Sequence, residues 1–448
     1  MTPPGGREGS LGAPTRHPLD WRDPAFNDEA ALTRELERVF DICHGCRRCF
    51  NLCNAFPTLF DAIDATTSGE LEGVDRKVFW QVVDHCYLCD MCFMTKCPYV
   101  PPHEWNVDFP HLMLRAKAVR TRREKPRLRD RILAATDTVG YLAGIPVVAE
   151  IVNAVNRTSA GRALLEKTLG VARDAPIPRY YAKTARKRVA AARRASGRAA
   201  AAPRPTAETT GRVAVFTTCY GNRNEPDLVT DLVAVLEHNG IEVELLPAER
   251  CCGMPLLELG DLEAIDALRQ QNIPVLRRAI DAGCDIVTPI PSCTLMFKQE
   301  LPLLFRGDAD VQAVRARMFD PFEYLQLRHR EGLLRTDFKR SLGKVSYHVP
   351  CHLRVQNIGL KTRDTLKLVP GTTLDVIERC SGHDGTYAVK KEFRAASVKI
   401  ATPVAEKVKN GESDHLASDC PMAGHQIGGL AGREPEHPLS LLRAAYGI

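Results

Sequence analysis

No G-x-G-x-x-G follows a strand-like run in this sequence, and no G-x4-G-K-[ST] occurs. The chain therefore offers no flavin, nicotinamide or nucleotide site of its own. Its opening, "MTPPGGREGSLGAPTRHPLDW", lacks the basic start and the apolar core of about 7 to 15 residues that a secretory signal needs, so a cytoplasmic protein is expected. No uncharged run reaches the roughly 20 residues that span a bilayer; within the apolar segment 132–156 the longest, residues 138–149, has twelve. Two basic runs exist, but no helix-turn-helix spacing or aromatic-rich strand goes with them, so nucleic acid is not an expected partner.

What is present is sulfur. Sixteen cysteines in 448 residues of a chain expected in a reducing compartment point to metal ligands or redox chemistry rather than disulfides. "CHGCRRCFNLC" places Cys43, Cys46, Cys49 and Cys53 at intervals of two, two and three residues. Structural zinc usually draws on two pairs separated by about a dozen residues or more, whereas C-x2-C-x2-C-x3-C is the spacing that holds 4Fe-4S clusters in bacterial ferredoxins, the fourth cysteine reaching a second cluster. A second run should then exist, and "CYLCDMCFMTKCP" supplies Cys86, Cys89, Cys92 and Cys97. The crosswise rule assigns Cys43, Cys46, Cys49 and Cys97 to one cluster and Cys86, Cys89, Cys92 and Cys53 to the other. Two departures stand out: four residues separate Cys92 from Cys97, and Asn54 stands where proline commonly follows Cys53.

Residues 115–131 hold nine Lys/Arg against two acids, and residues 183–198 seven against none. The bland reading is a solvated helix face and a linker; the sharper one is a docking patch for an acidic partner or a membrane surface. "AAAAPRPTAETT", residues 199–210, has no apolar periodicity and reads as a flexible linker. Residues 132–156 are apolar at helical intervals, broken by Asp137, Pro146 and Glu150, and read as a helical hairpin packed on the protein, with an interfacial anchor as the alternative. The first 35 residues, rich in Gly, Pro and charge, are expected to be a disordered tail.

Beyond the linker the chain repeats itself. "RVAVFTTC" (212–219) returns as "KVSYHVPC" (344–351), "ERCCGMP" as "ERCSGHD", and "IPSC" lies opposite "CPMA". Each copy reads as alternating strands and helices, with "IEVELLP" and "DIVTPI" answered by "TTLDVIE" and "HLASD". Such alternation implies a parallel sheet covered by helices, with sites at the carboxyl ends of the strands, and the repeated cysteines fall at those ends. Two α/β units with one sulfur-lined site apiece are expected.

Two ferredoxin-type motifs followed by two C…CCG…CxxC modules resemble the iron–sulfur subunits related to the D subunit of heterodisulfide reductase, the C subunit of anaerobic glycerol-3-phosphate dehydrogenase and the glycolate oxidase iron–sulfur subunit, over roughly residues 36–448 apart from the linker. The resemblance implies that a complete module gives five thiolates to an unusual 4Fe-4S centre, at which disulfides can be reduced, and that the ferredoxin part feeds it electrons. Related proteins are also encoded near rubrerythrin. Carried over residue by residue, the first module keeps Cys219, Cys251, Cys252 and Cys293 but has Ile290 in the fifth place; the second keeps Cys351, Cys380 and Cys420 but has Ser381 and Ala423. Four thiolates suffice for an ordinary cubane or a zinc ion, so module one is expected to hold a closed centre. Module two needs a further donor from His348, His352, His383 or His425, with His383 of "CSGHDG" the first choice, and its open position makes Cys351, Cys380 and Cys420 the candidates for reactive chemistry. The alternative is a module without metal that survives as packing. Cys284 falls outside the repeat and reads as a core residue.

The expected architecture is multidomain: an α-helical ferredoxin-like two-cluster domain (36–125), a helical hairpin and basic linker (126–210), and two α/β cysteine-rich domains (211–335 and the degenerate 340–448). The expected function is single-electron transfer in an oxidoreductase system, through two 4Fe-4S clusters and a further iron–sulfur or zinc centre, toward a flavoprotein, quinone-linked, haem or rubrerythrin-type partner. A peripheral position at the inner face of the membrane is compatible with this. The competing expectation is a non-catalytic metal-binding scaffold.

Overall fold

The computed structural model describes residues 14–196 and 202–448. The part of the expected tail before residue 14, and the part of the expected linker at 197–201, lie outside the described residues.

The helical N-terminal region is built from the helices Glu29–Cys46, Ala55–Asp64, Arg76–His85, Met91–Thr95 and Phe109–Arg123. The Asp28 side chain caps the first by accepting from the Ala31 amide, and Arg47 ends it in the left-handed region, turning the chain from Cys46 toward Cys49. Phe40, Phe56, Phe60, Phe79 and Phe109 form its core, with Phe56 and Phe109 ring centres 4.8 Å apart.

Residues 14–28 are not a loose tail. The Arg16 guanidinium is buried against three carboxylates from distant segments: Asp90 at 2.6 Å, Asp108 at 2.9 Å and Glu300 at 3.4 Å. It also lies 4.7 Å from the Phe93 ring centre. A buried charge is tolerable only when so matched. The Leu19 amide donates to the Leu303 carbonyl, fastening this segment to the first α/β unit.

Two four-stranded parallel sheets follow. The first comprises β1 (Arg212–Val215), β2 (Glu242–Leu245), β3 (Asp285–Val287) and β4 (Met318–Phe319), in the order β2-β1-β3-β4. The second comprises β5 (Lys344–His348), β6 (Thr373–Ile377), β7 (His415–Ser418) and β8 (Pro435–Glu436), in the matching order β6-β5-β7-β8. The repeat read from sequence is thus a repeat of topology. Val213 pairs with Val243 and Asp285, and Val345 with Leu374 and His415. Burial on both faces of β1 and β3 explains their unbroken apolar runs.

The intervening segment departs from expectation. Helices Thr136–Ala143 and Val148–Val155 meet at 105°. Gly140, Ala143 and Ala149 face inward, but Tyr141, Leu142, Ile145, Val147, Val148, Ile151 and Val155 are exposed, so this is not a hairpin packed away on the protein. Among the described residues no single helix is long and apolar enough to cross a membrane.

Each basic run is divided: Arg122, Arg123, Lys125, Arg127 and Arg131 of the first and Lys183, Lys187, Arg193 and Arg194 of the second are exposed, as a solvated face would be, while several members are tied to the protein. Arg115 donates to the Phe26 carbonyl, Lys117 to that of Cys86, Arg120 pairs with Asp84 at 2.6 Å, and Arg129 pairs with Glu392. In the second run Arg186 pairs with Glu249 at 3.0 Å, Arg188 with Asp227 at 2.5 Å and Arg193 with Glu237 at 2.7 Å. Residues 202–210 are likewise tied down: the Arg204 carbonyl accepts from Arg328, and the Thr210 amide donates to Asp285 at 2.7 Å.

Candidate metal centre

A cavity of about 1030 Å³ lies between the two α/β units. Cys219, Cys251, Cys252 and Cys293 of the first and Cys351, Cys380 and Cys420 of the second all line it, with Ile290, Ser381, His383 and Ala423. Sequence reasoning expected one site per unit; the two sites open onto a common space.

In the first unit the strand end β1 leads into Thr218, at φ 66°, a costly backbone for a β-branched residue. Its hydroxyl accepts from the Gly221 amide and starts the short helix that carries Cys219. Glu249 holds the cysteine loop to this strand end, accepting from the Thr217 amide at 3.0 Å while paired with Arg186. Asn272 accepts from the Arg250 amide and donates to the Cys251 carbonyl. The apolar pair of helices supplies a lid: the Asp137 carboxylate accepts from the Cys251 amide at 2.5 Å, and Thr136 Oγ1 stands 3.4 Å from both Cys219 Sγ and Cys251 Sγ. Hydrogen bonds from Cys219 and Cys252, then from Thr136 and the Gly253 amide, pull the Cys251 thiol well below the usual range.

The second unit repeats the backbone and changes the side chains. The Gly382 amide points at Cys380 Sγ at 3.4 Å as the Gly253 amide points at Cys251 Sγ at 3.5 Å. Here the strand end is tied to the loop by His348, which stands at the place of Phe216; its ring bonds Ser418 Oγ and the Arg379 carbonyl at 3.0 Å each, so it is not free to bind metal, while Glu378, at the place of Glu249, pairs with Arg354 at 3.2 Å. His425 bonds Glu225 at 2.8 Å. His383 is different: buried, with neither ring nitrogen partnered among the described residues, and held neutral by a pKa that burial lowers to about 4. Cys351 Sγ, a His352 ring nitrogen and an Asp384 carboxylate oxygen lie within 4.8 Å of one another. Burial raises Cys380 and Cys420 to about 11.

In the helical region Cys97 stands among Cys43, Cys46 and Cys49: burial, then these neighbouring thiols, push Cys43 well above its ordinary value. Burial, then Cys86, does the same to Cys53. The Cys89 thiol is raised by burial and then by Cys351, Asp384 and Cys380, so the second motif abuts the second α/β unit. Tyr387, raised by burial and then by Cys53 and Cys380, stands at this junction and bonds His85 at 2.9 Å. Iron–sulfur ligation asks for buried sulfurs kept as thiolates, and the chain supplies amides aimed at them: Ala55 at Cys53, Leu88 at Cys86, Tyr99 at Cys97, Gly253 at Cys251 and Gly382 at Cys380. The donor set fits the group. Thr136, Asp137, Glu249 and Asp384 escaped the sequence reading, and no spacing signal marks them. Cys284 lies apart, buried, 3.7 Å from Glu244.

Duplicated α/β units whose cysteine loops share a cavity, behind a helical region with eight further cysteines, define the class of iron–sulfur subunits with twin cysteine-rich domains. The Cysteine-rich domain family CCG matches residues 213–298 and 345–428. The C subunit of anaerobic glycerol-3-phosphate dehydrogenase from Escherichia coli (strain K12) is 30% identical over 325 residues, 72% of this chain and 78% of that protein. Lactate utilization protein A of Geobacillus thermodenitrificans is 29% identical over 234 residues, 50% of this chain and 92% of that protein. The B subunit of fumarate reductase (CoM/CoB) from Methanothermobacter marburgensis is 27% identical over 245 residues, 52% and 46% of the two chains. The chain belongs to the family of iron–sulfur electron-transfer subunits represented by the C subunit of anaerobic glycerol-3-phosphate dehydrogenase.

Proposed function

We propose that the protein carries single electrons within an oxidoreductase, with Cys43, Cys46, Cys49 and Cys97 holding one 4Fe-4S cluster and Cys86, Cys89, Cys92 and Cys53 a second. The observation that carries this reading is the contact between the motifs and the cavity: Cys89 and Cys53 feel the charges of Cys351 and Cys380, so the helical region ends where the second α/β unit begins. Bound clusters would store and release one electron at a time. The chain's own residues bury the sulfurs, aim amides at them and exclude water from the junction with Tyr387 and Phe393, whose rings stack 4.8 Å apart.

Within the cavity, module one is read as a closed centre on Cys219, Cys251, Cys252 and Cys293, and module two as the reactive side, where Cys351, Cys380 and Cys420 are completed by His383. The exchange partner is a flavoprotein, a quinone-linked or haem subunit, or a disulfide substrate. Iron and acid-labile sulfide after anaerobic purification test the reading: about eight of each from the two motifs supports it, and zinc without sulfide would establish the scaffold reading instead. Cys53→Ala should remove the electron paramagnetic resonance signal of the second cluster; loss of the first with the second intact would overturn the crosswise assignment. Electron transfer that survives Cys380→Ser with metal content unchanged would reduce module two to packing.

The exposed apolar pair, bent at 105°, favours one addition, a peripheral position on a membrane surface. Co-sedimentation of the whole chain with vesicles tests it.

A further inference from the structure

A second cavity, of about 330 Å³, lies beside that apolar pair. Arg157, Arg162, Arg173 and Arg179 line it with Asn153 and Asn156, and no acidic side chain does. The acids nearby are already engaged: Glu166 pairs with Arg173 at 2.7 Å, and Asp174 with Arg394 at 2.9 Å. Arg162 spends its hydrogen bonds on the carbonyls of Ala172, Arg173 and Ala175, and the one carboxylate that acts on it, Asp174, is shared with Arg394. Arg179 lies 5.6 Å from the Tyr181 ring centre, and the exposed Arg157 side chain has no hydrogen-bond or ion-pair partner among the described residues. Several guanidinium groups around a small space, without a carboxylate, make a site for an anion with several oxygens.

The same helices say where the anion comes from. Val148–Val155 presents Val148, Ile151 and Val155 to the outside and Asn153 to the arginine cavity. The bend before it exposes Val147 at 63%, and the helix that carries Arg162 exposes Leu164 at 59%. An apolar strip edged by arginines fits the boundary between acyl chains and headgroups, and the bend lets it lie on that boundary without crossing it.

We propose that this cavity binds the phosphate of an anionic phospholipid headgroup, with Arg157 and Arg179 as the adaptable contacts, Arg162 as the fixed one, and the acyl chains lying along the exposed apolar pair. The proposal rests on the peripheral-membrane reading and adds a chemical preference to it. The test uses the full chain with phosphatidylcholine vesicles, with and without phosphatidylglycerol, and in solution with dihexanoylphosphatidylglycerol below its micelle concentration or inorganic phosphate, measured by calorimetry. The parent should prefer phosphatidylglycerol vesicles by about tenfold or more, and Arg157→Gln/Arg179→Gln should abolish that preference with iron content unchanged. Val147→Ser/Ile151→Ser should weaken binding to both kinds of vesicle and leave the soluble lipid bound. A preference that survives the arginine double variant overturns the proposal, as does inorganic phosphate binding as tightly as the soluble lipid, which would mark a free-anion site. Soluble lipid bound without any vesicle association would sink the membrane reading and uphold the headgroup site. Neither bound would sink both.

Discussion

The two cysteine-rich units share a strand order, a parallel register and a glycine amide aimed at the loop sulfur, yet they surround their cysteines differently. The first has four thiols, a carboxylate tying the loop to the strand end, and a lid from outside the repeat in Thr136 and Asp137. The second has three thiols, a strand-end histidine, His348, in the tying role, and a buried imidazole without a partner among the described residues. Duplication kept what the backbone does and released what the side chains do. A loop amide survives any substitution that leaves the fold intact, whereas a ligand can be exchanged one residue at a time.

Acid should separate the units most. Burial lowers the pKa of His348 to about 4 and of His437 to about 3, while each titrates near 6.5 when unfolded. The unfolded chain therefore binds more protons between those values, and stability falls as the pH drops through 6.5 toward 4, by about 2 kcal/mol apiece at pH 5. Hydrogen exchange of the metal-free protein should show 344–446 opening at pH 5 while 212–330 stays protected; equal loss in both would contradict the asymmetry.

The loop glycines come next. A Cβ on Gly382 would sit 2.1 Å from the Ser397 carbonyl oxygen, whereas one on Gly253 meets nothing closer than 3.5 Å. Both have positive φ, at 67° and 101°, so both alanine variants carry backbone strain, but only Gly382→Ala adds a collision with the main chain. Thermal unfolding should place Gly382→Ala about 3 kcal/mol or more below the parent and Gly253→Ala about 1 to 2. The reverse order would mean that the second loop is the more pliable.

Asp137→Ala removes the acceptor for the Cys251 amide and should cost about 1 to 2 kcal/mol. Its sharper signature is chemical: alkylation of Cys251 and Cys219 in the metal-free protein should quicken, with Cys351 and Cys380 unaffected. Acceleration at all four would show that the lid serves both units.

The smallest effect belongs to the basic run. Asp227, the partner of Arg188, is 72% exposed, so Arg188→Ala should change stability by no more than about 0.5 kcal/mol by denaturant titration.

Six of the eight strands were legible because each is a β-rich stretch three to five residues long bounded by turn signals, and each recurs at its place in the other half. β4 and β8 have two residues each, too short for any period to register. The cysteine motifs were legible because their spacing is local. What surrounds them was not: Thr136 lies 83 residues from Cys219, and Asp137 lies 114 from Cys251. The ion pairs within the basic runs were hidden for the same reason, since Arg186 and Arg193 meet their acids only after the chain has folded back on the first sheet. The segment from residue 14 looked like a tail because the three carboxylates that match Arg16 are scattered over more than two hundred residues.

That scatter also orders assembly in time. During synthesis Arg16 emerges before any of its partners, and its full set is complete only once Glu300 has left the ribosome. Until then the strap can meet only Asp90 and Asp108 of the helical region, and the tie to the first α/β unit is missing. The triple ion pair thus acts as a late latch, whose last member joins the N-terminal strap and the helical region to a domain made more than two hundred residues later.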